Sequence, residues 1–544
     1  MPAPDSKARK PRGWPCAAGV TRAAVCLLLA GAAWRIGRYL LNFPLWGDEA
    51  GATLSLMFRD YAGLMGPLID QMIAPVGYLW SQRAIAQMLG YSEWSLRLGP
   101  LLASLAGMIL FYHFTRKVLS RWEAMLSVGF FASTYWLVRY AAEVRHFSLD
   151  VLVSLTLLIL AHEVWSRPQR AAAWLPLIGA STMGVWLSYP GVFVSAGMIL
   201  ALSLGLRQRY CWQYLLGLAV LCLFTGLSFL LVYKLHISGQ YASAQSFLAP
   251  SSDMWVNAFP DWSKPWTVPW WLLKTHISDM LSYPMGGKNG GSIITFLLVC
   301  IGAVTLGRRG DFRLLSLLLA PALVGLGAAS LRLYPYGNTM RTMLYLAPGV
   351  CMLAGVGLLA LLKTVLSPRK VKRGCWAASS VFIAICLLGI ARDIIHPYKH
   401  LDPYQVRQAF RDLGHRAKPQ DIILTFCEYG PLPPDELRWH GRGFVFRYYL
   451  IQTFPQLKGV WPAKPWPPCR YRKELSITRG FNHKIWLLLL QNASGSLNER
   501  QLALRLQCLC ERFGAPIKHV YEIELKNENN QYIVAYEFKG KQES

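Results

Sequence analysis

The sequence predicts an α-helical multi-pass membrane protein of about eleven transmembrane helices, with outer-face interfacial helices and a C-terminal soluble α/β domain. Three observations carry this expectation. Of 544 residues, 53% are hydrophobic and only 16% charged, against about 25% charged in an ordinary soluble domain. The mean hydropathy is +0.28. Apolar runs approaching the ~20 residues that cross a bilayer recur over the first 392 positions. A disordered or fibrous chain is excluded, and a wholly soluble one nearly so, because so many apolar side chains would overfill its cores. The net charge of +27, from 56 Lys+Arg against 29 Asp+Glu, is of a size that often signals nucleic acid, so the placement of the charges decides its meaning.

In chain order, residues 1–14 form a basic cytoplasmic N-terminus, and spans are expected at about 15–41, 98–115, 122–138, 147–165, 171–187, 191–206, 212–233, 291–306, 314–331, 342–362 and 376–392. Lys7, Arg9, Lys10 and Arg12 before an apolar core imitate a signal peptide. The core continues to Leu41, so an uncleaved span is expected. Stretches 53–66 and 68–90 are apolar but carry Asp60, Pro67, Asp70, Pro75 and Arg83. They read as amphipathic interfacial helices, with Pro75 breaking or starting one.

With the N-terminus in the cytoplasm, the inner segments hold 20 Lys and Arg in 59 residues and the outer segments 11 in 134. This asymmetry sets orientation and favours anionic membrane lipids, so the basic balance calls for no nucleic acid. The body, 15–392, is the transmembrane domain, with large outer loops at 42–97 and 234–290. Residues 393–544 contain 15 of the 29 acids and form the extracytoplasmic domain. There, helices are expected at 402–415 and 498–513, strands at 421–427, 444–450 and 484–490, and a hairpin at 517–525 and 531–538. The Pro- and Trp-rich stretch 431–468 reads as irregular. Cys427, Cys469, Cys508 and Cys510 lie in this domain, where an oxidising compartment would permit disulfides.

Acids are rare in the body, so the adjacent Asp48-Glu49 in Leu-Trp-Gly-Asp-Glu-Ala stands out directly after the first span. The pair is either a solvated helix start favoured by the dipole or a functional pair that needs a partner once desolvated. The stretch Arg139 to Phe147 packs Arg139, Glu143, Arg145 and His146 between two spans. Such groups are either functional or snorkelling Arg. Tyr334-Pro-Tyr336-Gly-Asn-Thr-Met-Arg341 and Ser188-Tyr189-Pro190 are assigned to the same outer face. Carboxylates can take a proton from a hydroxyl or amine, and Arg can clamp a phosphate. No Walker-type loop, zinc-type spacing or Ser-His-Asp signature accompanies them.

Leu45-Trp-Gly-Asp-Glu-Ala50 resembles the first-loop acidic motif of the membrane-embedded GT-C glycosyltransferases of the family-39 type. These include protein O-mannosyltransferases, lipid A aminoarabinose transferases and lipopolysaccharide galacturonosyltransferases. Gly90-Tyr-Ser-Glu-Trp-Ser-Leu-Arg-Leu-Gly-Pro100, Glu143-Val-Arg-His-Phe147 and Tyr334-Pro-Tyr-Gly with Arg341 and Pro348 resemble three further motifs of that family, in the same order. The likeness covers about 20–365. Ala142, Phe147 and Gly99 depart from the family's usual Gln, Tyr and direct Leu-Pro.

The resemblance implies a polyprenyl-phosphate sugar donor and inverting transfer to a lipid, glycan or protein acceptor at the outer face of the cell (inner) membrane. Asp48 would be the catalytic base, and Glu49 would position the acceptor or a divalent cation. Related enzymes differ in metal need, so no cofactor is certain. Arg145 and Arg341 would hold the donor phosphate, Glu143 would orient Arg145 or bind sugar hydroxyls, and His146, Tyr189 and Tyr336 would line the cavity. Arg97 and Glu93 would form a salt bridge or touch substrate, and Arg35 and Arg38 would reach a phosphate or snorkel. The alternative is a transporter or flippase for lipid-linked saccharides, which calls for mid-membrane helix breaks and inverted repeats; neither is evident in the sequence.

Overall fold

A computed structural model describes residues 17–69, 72–207, 212–248, 257–416, 422–427, 441–453, 484–492, 517–525 and 531–539. Each of the eleven apolar runs is helical over most of its length. Among the described residues, seven helices are long and apolar enough to cross a membrane: Ala18–Leu40, Glu93–Val118, Phe147–Ser166, Trp212–Ser243, Phe312–Ser330, Met340–Val365 and Pro368–Ile395. Ala171–Leu187, Gly191–Leu204 and Ile293–Arg308 are shorter apolar helices. The protein is an integral membrane protein.

The chain divides into two compact units. The first comprises Met1–Arg38, Pro100–Lys234 and Ser246–Arg392. Its core is a continuous cluster of buried Leu, Val, Phe, Tyr and Met side chains from the helices. Lipid tails are as apolar as these side chains, so helix association inside a membrane rests on close packing rather than on exclusion of water. Gly302 and Gly357 supply such packing. A Cβ on either would fall on the carbonyl of Leu353 or Leu298 across the helix pair.

The run expected to be one span at 122–138 is two helices, Arg121–Ser133 and Tyr135–Ala141, broken at Thr134. A helix end leaves its last carbonyls without intrahelical partners. Arg35, fully buried, takes two of them: its guanidinium donates to the carbonyls of Phe131 at 3.2 Å and Ala132 at 3.0 Å. Further bonds run to the Gly31 carbonyl and the Ser104 hydroxyl. Arg35 is therefore an internal cap, neither snorkelling nor open to a phosphate. Arg38 is buried over the Tyr135 ring.

The second unit comprises Tyr39–Gly99, Leu235–Gln245 and Asp393–Ser544. The interfacial segment begins at Gly47 rather than 53, as helix Gly47–Phe58. It ends at Phe58, and a short turn at Gly63–Met65 follows. Pro75 caps the start of helix Val76–Leu89, where its fixed φ and missing N–H are tolerated. Helix Leu401–Arg416 lies where the sequence placed one.

Strands β1 (Ile422–Cys427), β2 (Lys484–Asn492), β3 (Ile517–Leu525) and β4 (Gln531–Lys539) form one sheet in the order β1-β2-β4-β3. β1 pairs parallel to β2, and the other pairings are antiparallel. The strand expected at 444–450 is instead part of helix Gly441–Thr453. A short apolar run does not distinguish the two by itself, and here Val445, Tyr448 and Tyr449 bury one helical face. That helix packs on Gly47–Phe58 and on Leu401–Arg416. The helix expected at 498–513, and Cys469, Cys508 and Cys510, lie outside the described residues, as does most of 431–468.

Candidate active site

The predicted residues fall into two constellations, one in each unit. The acidic one starts at the N-terminus of helix Gly47–Phe58. Asp48 and Glu49 occupy its first turn, where the helix dipole favours negative charge. The Glu49 carboxylate also reaches back to the Trp46 N–H at 3.4 Å.

The two neighbouring acids differ sharply. Glu49 is 1% exposed and Arg97 2%. Arg97 grips Glu49 in a bidentate pair, Nε to Oε1 at 3.0 Å and Nη2 to Oε2 at 2.8 Å. Its other donors go to the carbonyls of Phe43 and Pro44. Planar two-bond geometry of this kind is the strong form of a carboxylate–guanidinium contact. Asp48 is only half-buried. The salt bridge considered between Arg97 and Glu93 is replaced by this one. Glu93 instead accepts the Tyr449 hydroxyl at 3.0 Å and lies 3.6 Å from Arg407.

The cationic constellation lies in the first unit. Helices Tyr135–Ala141 and Phe147–Ser166 end and begin around the turn 142–146, which carries Glu143, Arg145 and His146. The cation that Glu143 is seen to pair with is Arg139, at 2.7 Å, rather than the expected Arg145, and Arg139 also lies over the Trp136 and Tyr140 rings. Arg145 lies 6.0 Å from the centroid of Phe147. His146 packs on Tyr189, with ring centroids 6.4 Å apart.

Arg145 and Arg341 both act on His146. Burial first, and then these two cations, push its pKa down to about 3, leaving the ring neutral at physiological pH. Both cations also oppose the rise that burial imposes on the Tyr140 hydroxyl, which reaches about 12. The structure thus gathers Arg145, His146, Tyr189 and Arg341 around one locus.

Tyr336 sits beside His276. The His276 Nδ1 bonds the Leu272 carbonyl at 2.8 Å and so carries the proton. Its Nε2 is then the acceptor for the Tyr336 hydroxyl, 3.2 Å away. Burial raises the Tyr336 hydroxyl well above its ordinary value, so it stays protonated.

Two residues of this region went unnoticed in the sequence. Asp150, 2% exposed, lies 3.6 Å from the His146 Nε2 and is bonded by Ser188. A carboxylate one turn into an apolar run is itself the signal that would have found it. His276 stood in a long loop without any such signal. In that loop Trp262, Trp266 and Trp270 are exposed, whereas Trp271 bonds the Asn257 carbonyl and packs on Tyr336. Among the described residues, no group of three or more His, Cys, Asp or Glu is arranged to hold a metal ion.

Residues 74–230 match the family model described as dolichyl-phosphate-mannose-protein mannosyltransferase. The crystal structure of ArnT from Cupriavidus metallidurans bound to undecaprenyl phosphate superposes with a TM-score of 0.54 at 13% identity, covering 95% of this chain and 98% of that one. Its apo state gives 0.54 at 12% identity, covering 96% and 98%. The chain has a GT-C glycosyltransferase fold of the PMT/ArnT type. The likeness in fold covers 95% of this chain and 98% of ArnT, although no curated protein matches the chain by sequence.

Proposed function

We propose that this GT-C protein transfers a sugar from a polyprenyl-phosphate donor to a hydroxyl or amine of a lipid, glycan or protein acceptor, with inversion, on the extracytoplasmic face of the cell membrane. The observation that carries this reading is the division of labour between two adjacent acids. Glu49 is neutralised by Arg97 in the interior, while Asp48 stands half-buried at a helix start. Asp48 is assigned as the general base. The relative that shares the fold over the whole chain is described with undecaprenyl phosphate bound, which supports a lipid-phosphate donor here.

The chemistry asks little of the leaving group, because a phosphate departs readily. Asp48 accepts the acceptor's proton as the nucleophilic oxygen or nitrogen attacks the anomeric carbon from the side opposite the phosphate. The bond from that carbon to the phosphate oxygen breaks, and its electron pair stays on the phosphate. Arg145 and Arg341 stabilise the charge developing there through donors that are already oriented. A cationic pair that adds to burial in keeping His146 neutral has positive potential to offer an anion. Tyr189, Tyr336, His146 and Glu143 shape the surrounding cavity. The density of Lys and Arg in the short loops supports a cytoplasmic N-terminus and an outward-facing 393–544 segment.

Mass spectrometry of lipids and glycans from cells lacking the chain identifies the product it makes. Wild-type protein should restore that product. Asp48→Asn should lower its formation by ~10²–10⁴-fold, the usual worth of a general base, at unchanged levels in the membrane. Restoration by Asp48→Asn at the wild-type rate would remove Asp48 as the base.

A further inference from the structure

Residues 42–46, which lead from the first span to the acidic helix, are held by side chains far away in sequence. Asn42 has a left-handed backbone, φ 47°, and its carbonyl accepts Arg407 Nη1 at 2.6 Å across 365 positions. The Phe43 and Pro44 carbonyls accept Arg97. The Leu45 N–H donates to the Tyr449 hydroxyl at 3.0 Å across 404 positions. The Trp46 ring packs against His400, with Lys399 over its face. The Tyr449 hydroxyl in turn donates a hydrogen bond to the Glu93 carboxylate at 3.0 Å. Nearby, Tyr448 and Gln452 both bond the Tyr91 carbonyl at 2.9 Å.

These holding groups are interior. Arg407 is 8% exposed and Tyr449 5%. Burial and the Glu93 charge keep the Tyr449 hydroxyl protonated, so it both accepts from Leu45 and donates to Glu93. A domain that merely hung from the membrane body would need only apolar contact. This one directs buried polar groups at the main chain immediately before Asp48.

We infer that the two C-terminal helices Leu401–Arg416 and Gly441–Thr453 form a positioning element for Asp48. Arg407 and Tyr449, together with the Arg97–Glu49 pair, fix the 42–46 backbone so that the first helical turn presents the Asp48 carboxylate in one geometry. The inference rests on the reading of Asp48 as the base. Misplacement by about 1 Å can cost ~100-fold in rate, so loss of one holding group should be felt in turnover without removal of any group that touches substrate.

The test uses the full chain. Tyr449→Phe removes the hydroxyl between Leu45 and Glu93, and Arg407→Gln weakens the hold on Asn42. In both, deuterium uptake of the peptide covering 42–49 should rise. Product formation in complemented cells should fall about tenfold or more, while binding of undecaprenyl phosphate to the purified protein stays within about twofold. Arg407→Lys should recover part of the activity. Unchanged uptake in both Tyr449→Phe and Arg407→Gln overturns the positioning role. Raised uptake with undiminished product also overturns it. Asp48→Asn, run alongside, separates the two readings: its full activity removes the base itself, whereas its inactivity beside a silent Tyr449→Phe removes only the positioning element.

Discussion

The acidic and cationic constellations handle buried charge in opposite ways. Around Glu49 the charge is closed within the protein. One carboxylate meets one guanidinium through two bonds, and the remaining donors of that guanidinium end on main-chain carbonyls. Around His146 two cations bear on one buried ring. Glu143 is already engaged by Arg139, while Arg145 and Arg341 act together on a ring that they and its burial keep neutral. The first arrangement fixes one carboxylate against one guanidinium, and the second concentrates positive charge beside a neutral ring.

The sharpest way to break the contrast is to open the closed pair. Arg97→Leu leaves Glu49 charged and buried without its partner, a loss that typically costs ~3–5 kcal/mol. Thermal unfolding in detergent should show a large drop in midpoint. A drop of only a degree or two would mean that the pair carries little of the local fold.

The cationic region should respond in binding rather than in stability. Arg145→Ala and Arg341→Ala should each weaken undecaprenyl phosphate binding by about 10- to 100-fold, the worth of a charge-assisted bond, with midpoints close to wild type. Lys at either position should recover only part, because it lacks the planar fork. Equal binding in wild type and both variants would place the phosphate elsewhere.

The smallest effect, nil at neutral pH, belongs to His146. Its folded pKa of about 3 lies below the ordinary 6.5, so below 6.5 the unfolded chain binds a proton that the folded chain does not. The stability this contributes is fully present above 6.5 and is lost as the pH falls toward 3. His146→Gln should flatten that part of the stability–pH curve. An unchanged slope would assign the acid sensitivity to other groups.

Much of the fold was legible because its signals are local. An apolar run long enough to cross a bilayer needs no partner to be recognised, and every such run is helical over most of its length. The hairpin of β3 and β4 was equally readable, since a polar turn between two alternating runs is a short-range pattern. Where the signal was ambiguous, neighbours decided it. Residues 444–450 are apolar enough for a strand, yet they form part of a helix that buries Val445, Tyr448 and Tyr449 against Gly47–Phe58 and Leu401–Arg416.

The motifs Asp48-Glu49, Glu143 to His146 and Tyr334 to Arg341 were visible in the sequence as rare polar clusters beside spans. Their internal roles were not. Adjacent acids look alike in a string of letters, and only packing sends Glu49 inward to Arg97, 48 positions away, while Asp48 stays half-exposed.

The sequence by itself determined a helical membrane protein with polar clusters beside its spans, because hydropathy is a property of each segment. Only the tertiary structure decided which charge meets which. Arg35 caps a broken helix, Arg97 holds Glu49, and Tyr449 reaches Leu45. A buried charge or main-chain group must find a partner wherever the fold brings one, and distance along the chain does not reveal where that will be.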